Sequence, residues 1–384
     1  MKTMLSKSGF RMCSTSGLAL LLATTVAAQP VPVDPAAEHR ARDSVTKGLE
    51  YLIGSQRPDG GWEIRGQTHP AITAMAAQCL IQDARYGPKH PAVERALAYV
   101  LRFKREDGGI YVEAEGMPNY HTCVAITALA ATKEARFKAD IEGARRFIKR
   151  IQWDEDEDKD RSDAWYGGAG YGNSKRPDLS NTQMMVEALH DSGLSKDDPA
   201  YQKALAFISR CQMLSETNDQ PFARGATDGG FVYSPANGGE SKAGEEIIEG
   251  RPRLRSYGSM TYAGFKSLLY ANVSRDDPRV KQAFEWIKRH YSLDENPNMP
   301  GAQSREGLFY YYHVFARALA AWGEEVVVDG RGQPRRWRQD LCEKLASLQR
   351  ADGSWVNEEE RWMEDNPVLA TAYAILALQA TLKP

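Results

Sequence analysis

The chain has 384 residues, 26% of them charged, with 49 Lys and Arg set against 51 Asp and Glu. A formal net charge of −2 excludes a general nucleic-acid binder, which needs a basic face to displace phosphate counterions. The length exceeds what one globular core serves comfortably, so either the chain divides or each part packs only on its neighbours.

Residues 1–28 read as a secretory signal peptide. Lys2, Lys7 and Arg11 form a basic start, and the apolar run from Gly17 to Ala28 is too short to remain in a bilayer. Val26-Ala27-Ala28 supplies small residues for cleavage before Gln29, and Cys13 lies on the wrong side of the apolar run for a lipid anchor. The protein is therefore expected to be exported, periplasmic or extracellular, with no stable membrane span. Residues 29–42 read as a short linker and 43–384 as one domain. Cys79, Cys123, Cys211 and Cys342 fall far apart in predicted helices. In a chain this long they read as buried free thiols, not as disulfide staples.

A short stretch then recurs. Gln56-Arg57-Pro58-Asp59-Gly60-Gly61-Trp62 returns as Asp107-Gly108-Gly109-Ile110, as Asp228-Gly229-Gly230-Phe231 and as Gln349-Arg350-Ala351-Asp352-Gly353-Ser354-Trp355. Two further copies, Trp165-Tyr166-Gly167-Gly168 and Glu306-Gly307-Leu308-Phe309, lack the aspartate before the glycine. Six copies at this spacing mark a repeat architecture. Before each copy lies an amphipathic helical stripe, in chain order Val45/Leu49/Leu52, Val93/Leu97/Val100, Ile141/Ala144/Ile148, Tyr201/Leu205/Ile208, Val280/Phe284/Ile287 and Leu341/Leu345/Leu348. After each copy comes a helix of small and apolar residues nearly all round, which must be buried. The pattern predicts an all-α fold, an (α/α)6 toroid of six helix pairs joined by Gly-rich turns, amphipathic helices outside and small-residue helices inside. Val326-Val327-Val328 before Asp329-Gly330 predicts a small hairpin. Ser234 to Arg255 reads as a rim or lid, and the acidic run Asp154 to Asp163 as a solvated loop.

Lys47-Gly48-x-x-Tyr51-Leu52-x-x-x-Gln56, running on to Gly60-Gly61-Trp62, resembles the Gln-Trp repeat of squalene–hopene and oxidosqualene cyclases and the repeats of protein prenyltransferase β subunits. Tyr120-His121-Thr122-Cys123 is similar to the β-subunit segment that supplies a zinc-binding His. The resemblance covers essentially Val45 to Leu382 and implies a central ligand cavity that opens where the inner helices begin. Neither catalytic set is present. The Asp-x-Asp-Asp acid of the cyclases is missing, and Gly61 stands where the zinc thiolate of the prenyltransferases would be.

Polar residues at the inner-helix starts are then the candidates for a site. Asp365, Glu364, His121, Asp178 and His313 are the candidate acids and bases. Glu364 and Asp365 would share a raised pKa if buried together. Tyr120, Asn181, Tyr257, Tyr262, Tyr311, Tyr312 and Trp362 are the candidate ligand contacts, an aromatic rim that suits an apolar or sugar-like molecule. Ser180 to Gln183 also fits a capping box, and Asn366-Pro367 an N-cap followed by proline. With no phosphate loop, no nucleophile elbow and no His-Glu-x-x-His, no cofactor and no metal is expected. An exported protein that binds or transforms an isoprenoid-type ligand is the leading reading. A non-catalytic scaffold for a protein or glycan is the alternative, and a polysaccharide lyase using Arg251, Arg253 or Arg255 the second alternative. The sequence leaves any protein partner unspecified.

Overall fold

The structure, a computed structural model, describes residues 34–172 and 175–382. The expected signal peptide lies outside these residues. Among them are twelve α-helices in six pairs: α1 (Pro35–Ser55) and α2 (Pro70–Ile81), α3 (Pro91–Leu101) and α4 (Pro118–Ala131), α5 (Lys138–Arg150) and α6 (Leu179–Asp191), α7 (Pro199–Arg210) and α8 (Gly258–Tyr270), α9 (Pro278–Arg289) and α10 (Leu308–Trp322), and α11 (Trp337–Leu348) and α12 (Pro367–Leu382). Helix α1 begins inside the stretch read as a linker, 29–42. Asp34 already caps α1 by accepting from the Ala36 N–H, and proline follows at the first helical position. The same cap-then-proline start opens α2, α3, α7 and α9 behind His69, His90, Asp198 and Asp277.

The even-numbered helices form the inner ring. Each packs on the next, and α12 packs on α2, which closes the circle. Composition explains the division. Every residue of α2 except Gln78 is buried, whereas α5 buries only Gly143, Ala144, Phe147 and Ile148, a single stripe. Closure leaves no open end to cap, unlike a linear solenoid.

The recurring turns hold neighbouring units together. Gly60, Gly108, Gly167, Gly229 and Gly353 all have positive φ, between 80° and 92°. A Cβ there would meet a backbone carbonyl of the following outer helix at 2.6 Å or less, Arg95 O for Gly60 and, where the ring closes, Lys47 O of α1 for Gly353. Only glycine satisfies both the angle and the approach. The turn aspartates accept from the N–H two residues on, as Asp59 does from Gly61 and Asp352 from Ser354. Gln56, Gln152, Gln212 and Gln349 each donate two bonds, one to their own turn and one to the next outer helix. Trp355 donates to Leu345 O of its own outer helix, and its ring lies against Gly48 of α1. In five units a threonine of the inner helix accepts the N–H at the end of the turn: Thr73, Thr122, Thr182, Thr261 and Thr371.

Among the described residues, strands are confined to three small hairpins: β1 (Glu63–Ile64) with β2 (Gln67–Thr68), β3 (Glu245–Ile248) with β4 (Arg251–Leu254), and β5 (Val327–Val328) with β6 (Pro334–Arg335). The third is the expected one. The acidic run carries one 3-10 turn, Glu155–Glu157, and is tied back by Lys203 to Asp154 and Glu155. Among the described residues, Cys79, Cys123, Cys211 and Cys342 are free and buried. No helix among the described residues is long and apolar enough to cross a membrane.

Candidate functional site

A cavity of about 780 Å³ opens where the inner helices begin. Five methionines line it (Met117, Met184, Met260, Met299 and Met363), together with six tyrosines (Tyr120, Tyr171, Tyr233, Tyr257, Tyr310 and Tyr373). Thioethers and phenol rings give a wall that is apolar, polarizable and adaptable in shape. Polar groups gather towards the mouth: Arg65, His69, Glu115, Lys242, Glu306 and Arg361. Arg361 is paired with Glu306 at 2.7 Å and Lys242 with Glu240. Lys242 lies within the Ser234–Arg255 segment and Tyr233 just before it, so the segment forms part of the rim.

Of the expected ligand contacts, Tyr120, Asn181, Tyr257 and Trp362 line this cavity. Tyr262, Tyr311 and Tyr312 do not. Successive helical residues point about 100° apart, so only Tyr310 of its run faces inward. Tyr311 and Tyr312 turn outward, donating to Ser292 O and Leu293 O at 2.7 Å each. Tyr262 is fully buried against Tyr311 and Phe315.

The expected acids separate as well. Glu364 is buried and lines the cavity, but its carboxylate accepts from the Phe309 and Tyr310 N–H groups and from Asn357, which caps α10 from a neighbouring unit. Burial raises its pKa, against the pull of those donors. Asp365 is exposed and lines nothing, so the two carboxyls are not buried together. Asp178 stands one layer behind the wall. Burial lifts its carboxyl to about 6, although Asn181 and Tyr233 hydrogen-bond to it. It is Asp178, not Ser180, that caps α6. Asn366 caps α12 as expected, accepting from Leu369 N–H.

His313 lies one turn below Tyr310, outside the cavity lining, with its ring beside Tyr373. Burial depresses its pKa to about 3. Below it a buried ionic cluster fills the barrel: Lys266 against Glu187, with Arg317 bridging Glu187 at 3.0 Å and Asp191 at 2.7 Å. Burial alone would push the Glu187 carboxyl up, but Lys266 and Arg317 hold it below its usual range. Two cations balance two anions there, which is the condition for burying any of them.

Sequence reasoning missed one constellation. His69 Nε2 lies 2.7 Å from Glu115 Oε2, and His121 Nε2 lies 3.3 Å from the same oxygen. The three candidate ligand atoms fall within 4.8 Å of one another. His121 is buried, and burial, with His69 beside it, depresses its pKa to about 3. His69 is the N-cap of α2, and Glu115 ends the 3-10 turn Glu113–Glu115 that leads to α4. Only His121 carried a sequence signal, its likeness to a zinc-binding segment. Arg251, Arg253 and Arg255 lie on or just beyond β4 and do not line the cavity, so none is placed as a lyase base.

No family model matches the chain. It is 28% identical over 181 residues to drimenyl diphosphate synthase of Streptomyces showdoensis, 45% of this chain and 31% of that one. To human (Homo sapiens) lanosterol synthase it is 29% identical over 133 residues, 29% of this chain and 18% of that one. The chain thus matches less than a third of the length of either relative. The type II terpene cyclase MstE from Scytonema, solved with its substrate geranylgeranyl dihydroxybenzoate, superposes with a TM-score of 0.54 at 13% identity, covering 90% of this chain and 98% of that one. An inactive variant of the α-1,6-mannanase GH76A of Salegentibacter sp. HEL1_6, solved with α-1,6-mannotriose, superposes at 0.56 with 8% identity, covering 89% and 99%. At these identities the structural matches speak for the fold. The sequence matches are to terpenoid cyclases over part of this chain, and the closed ring of six helix pairs is an α/α toroid similar to the solved ones.

Proposed function

We propose that the protein binds, and acts upon, a single isoprenoid-type molecule held in its central cavity. The observation that carries the reading is the cavity itself, about 780 Å³ walled by methionine and tyrosine. That volume falls in the range of a small-molecule site, and the wall is apolar with a few polar groups kept to one end. Terpenoid cyclase relatives and the substrate bound in the MstE toroid support the same ligand class. Two buried acids with raised pKa values stand at the cavity, Glu364 in its lining but tied to the start of α10, and Asp178 just behind the wall and lifted to about 6; Asp178 is the first candidate to donate a proton if the ligand is transformed. Purified protein analysed by native mass spectrometry, before and after incubation with C15 to C30 polyprenoids, tests the reading. One polyprenoid per chain is expected, and a cavity that accepts none contradicts it.

A glycan ligand is not favoured, because no pair of free carboxylates faces the cavity: Glu306 is ion-paired and Glu364 is committed to a helix cap. We also propose that the protein is exported, on the strength of residues 1–28. Finding Gln29 at the N-terminus of protein recovered outside the cytoplasm would support this, and an intact Met1 would oppose it.

A further inference from the structure

The cluster of His69, Glu115 and His121 has the donor set of a zinc site, two imidazoles and a carboxylate. A metal held through both Nε2 atoms requires each ring to carry its proton on Nδ1, where it normally donates to an acceptor. Here both Nδ1 atoms face donors instead. His69 Nδ1 accepts from the Ala71 N–H at 3.2 Å, as the cap of α2, and His121 Nδ1 accepts from the Val112 N–H at 3.3 Å. Neither backbone group can reverse without breaking a helix start or the turn before α4. A neutral ring whose Nδ1 accepts must carry its hydrogen on Nε2. The His69 Nε2–H then donates to Glu115 Oε2 at 2.7 Å, while the His121 Nε2–H lies 3.3 Å from that oxygen outside hydrogen-bonding geometry. Two protonated Nε2 atoms beside a carboxylate are the wrong arrangement for a cation.

The other oxygen of Glu115 has no partner among the described residues, and Glu115 lines the cavity mouth. Its neighbours decide what it meets. Arg361 is paired with Glu306, and Lys242 shares Glu240 with Arg176, which leaves the exposed Arg65 as the lining cation without an ion pair among the described residues. Cations already tied to carboxylates, beside Glu115 itself, are a poor cradle for a diphosphate, which needs several donors and no anion nearby. A hydroxyl group meets no such penalty and finds an acceptor.

Resting on the ligand class proposed above, we infer that His69, Glu115 and His121 form a metal-free acceptor site, in which His69, packed edge-on against His121, holds one oxygen of Glu115 and the other receives the hydroxyl hydrogen of an isoprenoid alcohol. His69 and His121 are positioning residues, and Glu115 touches the ligand.

The test compares geranylgeraniol, its methyl ether and its diphosphate by isothermal titration of the full-length mature protein, with zinc content measured after growth in zinc-supplemented medium. The alcohol should bind about tenfold tighter than the ether, the size of one hydrogen bond to a charged acceptor, and tighter than the diphosphate. In Glu115→Ala the alcohol and ether should bind alike, at the affinity the wild type shows for the ether. Long-range proton–nitrogen spectra of histidine-labelled protein should show His69 and His121 as Nε2–H tautomers, a readout independent of binding. Equal binding of alcohol and ether to the wild type overturns the acceptor site while leaving the cavity reading intact. Failure of all three probes overturns both. One zinc per chain, lost in His121→Ala, or Nδ1–H tautomers, overturns the metal-free assignment, and tighter binding of the diphosphate overturns the choice of an alcohol.

Discussion

Asp352 and Asp178 are the same residue type at two different positions of the repeat, the turn of the sixth unit and the inner-helix start of the third, and they are held in opposite states. Asp352 lies in a turn on the wet side of the ring, where the Ser354 hydroxyl and N–H hold its carboxyl below the usual range. Asp178 lies at the start of an inner helix, where burial lifts it to about 6 despite its hydrogen bonds. The turns are built to one specification and repeated; the helix starts share a position in the ring and little else. Stability should therefore concentrate in the turns, and ligand chemistry at the helix starts.

The largest effect should come from the turn that closes the ring. Gly353→Ala places a Cβ 2.5 Å from Lys47 O at a φ of 87°, and we expect a loss of about 4 kcal/mol in urea unfolding, from strain and steric conflict together. Gly307, whose copy is degenerate, has only the Trp362 side chain nearby at 3.3 Å. Gly307→Ala should cost about 1 kcal/mol, the left-handed penalty alone. Equal losses at both positions would break the distinction between a welded turn and a merely permissive one.

The next effect is a pH dependence with a definite sign. A carboxyl whose folded pKa is raised to about 6 favours folding below about pH 4, and that contribution disappears as the pH rises through 6. Two units correspond to roughly 3 kcal/mol. Asp178→Asn should abolish this component, so the mutant should gain relative to wild type as unfolding is measured from pH 4 to pH 7. His121 contributes in the opposite direction. Its folded pKa of about 3 makes its share of stability complete above pH 6.5 and progressively lost on acidification through 3. A difference between mutant and wild type that stays flat across this window would show Asp178 to be an ordinary solvated acid.

A smaller effect belongs to the inter-unit clamps. Gln212 donates to Gly229 O and Arg279 O at 2.9 Å each. Gln212→Ala should cost about 2 kcal/mol in chemical unfolding, the sum of two bonds that water cannot replace. Smallest of all, Trp362→Ala at the mouth should change stability by about 0.5 kcal/mol or less, since the ring is 36% exposed. Its effect should appear in ligand affinity instead. A large stability loss there would mean that the mouth, too, is scaffold.

The same contrast explains what could be read from the sequence. Six Gly turns, each between an amphipathic and an all-apolar helix, specify the ring because glycine, aspartate and glutamine do one job at every copy. The cavity lining is less legible. An inner helix that is apolar all round carries no mark of which residues face the axis, so Tyr310 could not be told from Tyr311 and Tyr312. Met184 and Met260 sit on inner helices that are apolar nearly all round, and only closure of the ring turns them into a wall. His69 and Glu115 lie in neighbouring units, and the turn Glu113–Glu115 brings them together with His121. Asp365 was misplaced because adjacency to Glu364 says nothing about which of two neighbours points inward.

The central claim is that the space within the inner ring is a ligand site. Isothermal titration of geranylgeraniol into wild-type protein and into Met260→Trp, with the fold of the variant checked by circular dichroism, tests it most directly. Met260 lines the cavity, and an indole in its place occupies part of the volume. The account predicts one alcohol per wild-type chain and at least a tenfold loss of affinity in the folded variant. No binding to the wild type, or the same affinity in both, would contradict it.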